Sequence, residues 1–325
     1  MITAGSFPTP DLALRTNDLP GQSRVRAFAD VQAAAAEDLR LHLVDTDLAT
    51  PPFHERLDVL RTAVSTLTRW RYELALATPG RLGVGIAADA AHFLMSHREG
   101  GESYDRLGYT GRMRCGATWD PGTLTFQGGE ETPASAILLH YGQLVRKRFE
   151  AEAPQEDILQ NRVRLPGGRT VAGNRLARGQ AAARIAEKLK ARVAARGHAT
   201  ATFETGGDPV YAVTAYPEDA DVFQGAALAH LAGAFDPSLI RDELISVWQE
   251  SRYLLYQGRQ KKKGSDAVTR VFLVAVGAVL FGQPPILEQD TDLRCMVLGQ
   301  AAATAMPADE ELWSAEAYNK TRRSS

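Results

Sequence analysis

Cysteine is nearly absent from this sequence: Cys115 and Cys295 are the two in 325 residues. They lie far apart and neither belongs to a CxxC or Cys/His cluster, which argues against a disulfide framework and against a zinc site. Long apolar runs are lacking too. The longest, from Val271 to Phe281, is too short to cross a bilayer. No N-terminal stretch combines a basic start, an apolar core and a cleavage site. The expectation is a cytoplasmic, intracellular protein with no membrane partner. Catalytic signatures are also missing: there is no GxxxxGK[ST], no HExxH, no GxSxG and no Rossmann glycine set. The sequence therefore nominates no catalytic residue, no metal ligand and no cofactor.

What the sequence does have is an uneven distribution of charge. The whole chain carries a formal charge of −2, yet residues 161–198 hold ten Arg or Lys against one acid, Glu187. Within this stretch, residues 162–171 alternate charged and apolar positions around Leu165-Pro166-Gly167-Gly168, the pattern of a hairpin. A helix is expected to follow over 176–195. Ile185, Leu189 and Val193 recur every fourth residue and form one stripe, while Arg184, Lys188, Arg192 and Arg196 form a second, one position earlier. Successive residues of an α-helix are about 100° apart, so one stripe can pack while its neighbour holds cations to solvent. An exposed helix face carries charge as a matter of course. This one lacks the interleaved acids that such faces usually have, and it favours Arg, whose planar fork suits bidentate phosphate contacts. Arg162, Arg164, Arg169, Arg175, Arg178, Arg184, Lys188, Arg192 and Arg196 are accordingly candidate nucleic-acid or anion contacts.

A second basic segment spans 252–270. Its loop places Arg259, Lys261, Lys262 and Lys263 between Gly258 and Gly264, just before an apolar helix, and Arg270 follows on that helix. Backbone N–H groups at a helix start attract anions, so these residues extend the candidate list. The order Gly264-Ser265-Asp266-Ala267, Thr269-Arg270, an apolar helix and Pro284-Pro285-Ile286 distantly resembles the end of a Fic domain. That resemblance implies a loop which binds nucleotide phosphates and moves an adenylyl group. The departures are plain. The family's histidine position falls on or near Arg259, and its Gly-Asn-Gly-Arg core is replaced by Gly264-Ser265-Asp266-Ala267, so the resemblance lacks the catalytic centre.

Periodicity and breakers give the remaining elements. Helices are expected over 23–40, 53–77, 84–96, 133–152, 219–234, 237–257, 266–281, 290–305 and 309–320. Short antiparallel hairpins are expected near 110–127, 162–171 and 200–216. The class is α+β, mainly helical, with an N-terminal region 1–153 and a second region 154–325 that joins it or stands apart across Ala153-Pro154. Several isolated residues have plain structural explanations beside a functional one. Asp45-Thr46-Asp47 resembles a metal-binding carboxylate pair but sits in an Asp-rich connection. Glu204 and Asp208 are hairpin carboxylates, His198 abuts the basic helix, and Trp119, Trp248 and Trp313 read as core residues. Tyr253 and Tyr256 stand beside the lysine loop, where they either pack or stack on bases.

The leading expectation is a nucleic-acid-binding protein, or one that binds another polyanion, acting within a larger assembly. One alternative is an enzyme acting on a nucleotide or phosphorylated substrate, with Arg259–Lys263 as its anion clamp. The other is a structural, self-assembling subunit.

Overall fold

The computed structural model describes residues 1–77 and 90–313. Helix accounts for 58% of the described residues and antiparallel strand for 11%, so the chain is α+β and mainly helical.

The helical part is built around one helix. After α1 (Leu19–Arg26), α2 (Phe28–Asp45) and α3 (Phe53–Ala77) come, much later in the chain, α7 (Pro217–Gly233), α8 (Arg241–Gln257) and α9 (Ser265–Phe281). Residues 267–278 of α9 are buried on every side, the pattern of a helix enclosed by others. Its neighbours are α2, α3 and α8, and α7 closes the layer by packing on α3 and α8. The alanines of α2 (Ala29, Ala33 and Ala36) let it approach closely. Gly277 does the same on α9, where a Cβ would meet Pro285 and the Trp248 indole. Trp248 is fully buried and donates its Nε1–H to the Leu273 carbonyl at 3.0 Å, fixing α8 against α9. Side chains such as Val271, Phe272 and Leu273 each contribute about 1.5–3 kcal/mol by leaving water.

A four-stranded antiparallel sheet lies beside this layer. Its order is β1 (Tyr104–Leu107), β6 (Val210–Val213), β5 (Thr170–Ala177) and β4 (Ile158–Arg164). β1 and β6 pair across the Ala153-Pro154 connection, so strands from both expected regions share one sheet. One face is covered by α5 (Pro133–Glu152), through Leu138, Tyr141, Val145 and Phe149 against Leu159, Leu176 and Ala212. The other is covered by α6 (Gly179–Ala195), through Ala181, Ala182 and Ala186 against Ala177, Tyr211 and Val213. A satisfied polar network ties the sheet to the helices. Asn161 donates to Asn174 at 2.7 Å, Asn174 to the Met296 carbonyl at 2.7 Å, and Gln257 to the Cys295 carbonyl at 2.7 Å. A separate hairpin, β2 (Thr118–Asp120) with β3 (Thr125–Gln127), carries Trp119 edge-on to Phe126.

Several expectations need correction. Residues 200–205 form no strand, and β6 pairs with β1 and β5 instead. That segment is claimed by side chains: the buried Glu204 carboxylate accepts the Gly111 N–H at 2.8 Å, and Arg106 donates to the Glu204 and Gly206 carbonyls. The helix expected over 23–40 breaks at Ala27, and 290–305 divides into α10 (Thr291–Val297) and α11 (Gln300–Thr304). Residues 84–89 of another expected helix lie outside the described residues, and Ala91–Phe93 is a single 3-10 turn. After it comes a short helix, α4 (His97–Gly100). Of the helix expected over 309–320, Glu310–Trp313 is helical (α12) and the rest lies outside the described residues. Trp313 is exposed rather than part of a core. Among the described residues, no helix is long and apolar enough to cross a membrane.

Candidate anion-binding interface

Helix α6 presents its cations much as the spacing demands. Gly179 opens it with a φ of +51°, and the Asp157 carboxylate accepts the Gln180 N–H at 2.9 Å. Ile185 and Leu189 face the sheet, which leaves Arg184, Lys188 and Arg196 exposed. Arg192 is half-buried and donates to the Glu102 carbonyl at 3.2 Å. The Lys188 ammonium and the Arg192 guanidinium both lie over the Tyr104 ring, at 5.5 and 5.4 Å. On the neighbouring hairpin, Arg162, Arg164 and Arg169 are exposed. His198 is exposed just beyond the helix end.

The loop over 259–264 meets this helix in space. A cleft of about 340 Å³ is lined by Arg192 and Arg196 from α6 and by Lys261, Lys262 and Lys263 from the loop, with Glu102, Asp105 and Asp266 as its acids. The two basic segments, far apart in the chain, thus form one wall. Lys262 donates to the Gly101 and Glu102 carbonyls, both at 2.7 Å. Burial, together with the nearby Arg192 and Arg196 charges, pushes its ammonium down to about 8. Lys261 donates to the Leu94 carbonyl at 2.9 Å. His97 lines the same cleft, hydrogen-bonded to Ser103 at 3.1 Å, and burial pushes its imidazole down to about 4.

Other nominated cations are committed to the fold. Arg259 pairs with Asp105 at 3.4 Å and Asp292 at 3.1 Å, so it is not a free arm of an anion clamp. Those two carboxylates and Asp266 hold its guanidinium charged against burial. Arg270 is buried, pairs with Asp266 at 2.9 Å and donates to the carbonyls of Leu287, Glu288 and Gln289. Arg175 pairs with Glu102 and lies 4.1 Å over the Tyr216 ring. Arg178 donates to the Ala153, Pro154 and Glu156 carbonyls over the Phe149 ring, tying the end of α5 to the start of α6. Tyr253 and Tyr256 are fully buried and cannot stack on a base, and Tyr256 donates to Asp266 at 2.9 Å. Asp208 bridges to Arg146 at 2.8 Å, while Asp47 accepts the Thr50 hydroxyl at the end of α2.

A larger cleft, about 640 Å³, opens on the other side of the same loop. Its walls come from α3, α7 and the start of α9. Among the described residues that line it, Asp221 is the single acid beside Arg61, Arg69, Arg71, Arg259, Lys261 and Lys263. Asp221 is already engaged by Arg98 and Gln260. Gly264 sits where the two clefts meet, with a φ of +81°, and a Cβ there would strike Phe93 and the Arg71 stem. Sequence reasoning missed Arg71, because an Arg in an amphipathic helix gives no signal until its neighbours are known. In comparisons with known proteins, no family model and no curated protein matches this sequence.

Proposed function

We propose that this protein binds the phosphate backbone of nucleic acid through the face formed by α6, the β4–β5 hairpin and the 261–263 loop. The observation that carries this reading is the meeting of Arg192 and Arg196 with Lys261–Lys263 around one cleft, continuous with the exposed cations of α6. Among the described residues, Arg184 and Arg196 have no carboxylate partner. Contacts of this kind position a polyanion without reading its sequence, so binding should be indifferent to base order. A half-buried Tyr104 between Lys188 and Arg192 adds an aromatic surface to the cationic stripe.

The test is a salt titration. Arg184, Lys188 and Arg196 are exposed, so changing all three to Glu should leave the fold intact. Each lost phosphate contact removes about 0.7–0.9 from the slope of log K against log salt. The variant should therefore flatten that slope by about two to three units on a single strand or a duplex. An unchanged slope, or no binding by the parent protein, refutes the reading.

A further inference from the structure

We propose that the larger cleft is a separate site for an organic phosphomonoester, held at the N-terminus of α9 with Arg71 as its counter-charge. Two independent features converge there. α9 is a 17-residue helix capped by Gly264 with no side-chain cap, and its first backbone bond runs from Val268 N–H to the Gly264 carbonyl. The N–H groups of Ser265, Asp266 and Ala267 precede that bond and have no acceptor among the described residues. A long helix end with free donors favours a compact anion.

The second feature is Arg71, on a different helix. It is 5% exposed, and its Nε and Nη1 have no hydrogen-bond partner among the described residues. No carboxylate among the described residues pairs with it. Its guanidinium lies 4.2 Å from the Phe93 ring centroid and 5.4 Å from that of Phe28. Aromatic faces offset part of the cost of burying a cation, but an uncompensated buried charge remains unfavourable. Burial accordingly pushes Arg71 down to about 10. Its stem touches Gly264, and it lines the same cleft as Ser265 and Lys263. A dianionic phosphate placed there would lie beside Arg71, the Ser265 N–H at the start of α9 and the Lys263 ammonium. At about 640 Å³ the cleft is larger than phosphate alone requires. Its wall continues over Val64, Leu228, Leu255 and Phe272, which suits an apolar or flat body attached to the phosphate. This site lies across the loop from the polyanion face and does not depend on that reading.

Calorimetry with inorganic phosphate, a 5′-mononucleotide and the matching nucleoside tests it on the full chain. The mononucleotide should bind at one per chain, phosphate more weakly, and the nucleoside not at all. Arg71→Met should weaken the mononucleotide by about tenfold or more, since charge-assisted hydrogen bonds are lost. The free protein should meanwhile keep or raise its melting temperature, because a buried charge without a partner has been removed. A role in packing alone predicts the reverse: a lower melting temperature with binding unchanged. If Arg71→Met does not fold, Lys263→Ala decides, with an expected loss of about three- to tenfold. Equal binding of nucleoside and nucleotide, no binding of either phosphate compound, or unchanged binding in the deciding variant overturns the proposal. A 5′-phosphorylated oligonucleotide that outbinds its 5′-hydroxyl twin identifies a strand end as the source of the phosphate. Equal oligonucleotides with a tight mononucleotide identify a small molecule. The Arg184, Lys188 and Arg196 charge reversals should leave mononucleotide binding unaltered, which separates failure of this site from failure of the polyanion face.

Discussion

Replacing Asp309 by Asn should destabilise the fold far more than its place near the end of the described chain suggests. Asp309 and Arg252 form a two-pronged pair, Nη1 to Oδ1 and Nη2 to Oδ2, both at 2.7 Å, with side chains 1% and 4% exposed. The carboxylate also accepts from Gln249 at 2.8 Å and from the Met306 N–H at 2.8 Å. Arg252 donates to the Thr304 carbonyl and lies 4.8 Å over the Trp248 ring. Neutralising the acid leaves a guanidinium in the core with no opposing charge, at a cost of about 3–5 kcal/mol. For a chain of this size, each kcal/mol lowers the melting temperature by about 2 °C, so the expected fall is about 6–10 °C. Thermal and urea unfolding followed by circular dichroism measure it. Arg252→Met combined with Asp309→Leu should recover at least about half of the loss, because the double change leaves no buried charge unpaired. Nucleic-acid affinity per folded molecule should not change, because Arg252 reaches no surface. A loss below about 1 kcal/mol, the scale of an exposed pair, refutes the argument. So does strict additivity of the two single changes.

Two further predictions concern pH. His97 is neutral and buried, and burial lowers its pKa to about 4 from the ordinary imidazole value of 6.5. Between those values the unfolded chain binds a proton that the folded chain does not. Its contribution is therefore complete above pH 6.5 and is lost as pH falls towards 4, by about 3 kcal/mol in all. His97→Gln should flatten the acid limb of a stability profile, and an unchanged limb counts against a neutral buried imidazole. Lys262 titrates near pH 8, so anion affinity should fall as pH rises from 7 to 9. Binding at pH 8 should also take up protons, seen as a buffer-dependent calorimetric enthalpy, and Lys262→Arg should remove both effects.

The local pattern of the sequence settles much of this protein. The fourfold spacing of Ile185 and Leu189 beside Arg184 and Lys188 places one stripe on the sheet and the other in solvent, because helical geometry leaves no third arrangement. The long apolar run in α9 marks an enclosed helix, and Pro-Gly-Gly at 166–168 marks a hairpin. Tertiary structure alone decides which cations remain free. Arg259, Arg270 and Arg252 look like surface charge in a basic segment, yet Asp105, Asp292, Asp266 and Asp309 reach them from distant elements or the next helical turn. Arg71 has the opposite history: it reads as an ordinary helix cation, and packing buries it beside Phe93 and Gly264 with no carboxylate partner among the described residues. The pairing of β6 with β1 and β5, rather than with 200–205, is likewise set by contacts far along the chain, where Arg106 binds the Glu204 and Gly206 carbonyls and the Glu204 carboxylate accepts the distant Gly111 N–H. Spacing along one chain fixes which side chains share a face. What lies opposite that face, and whether a charge there is neutralised, is fixed only when distant elements pack.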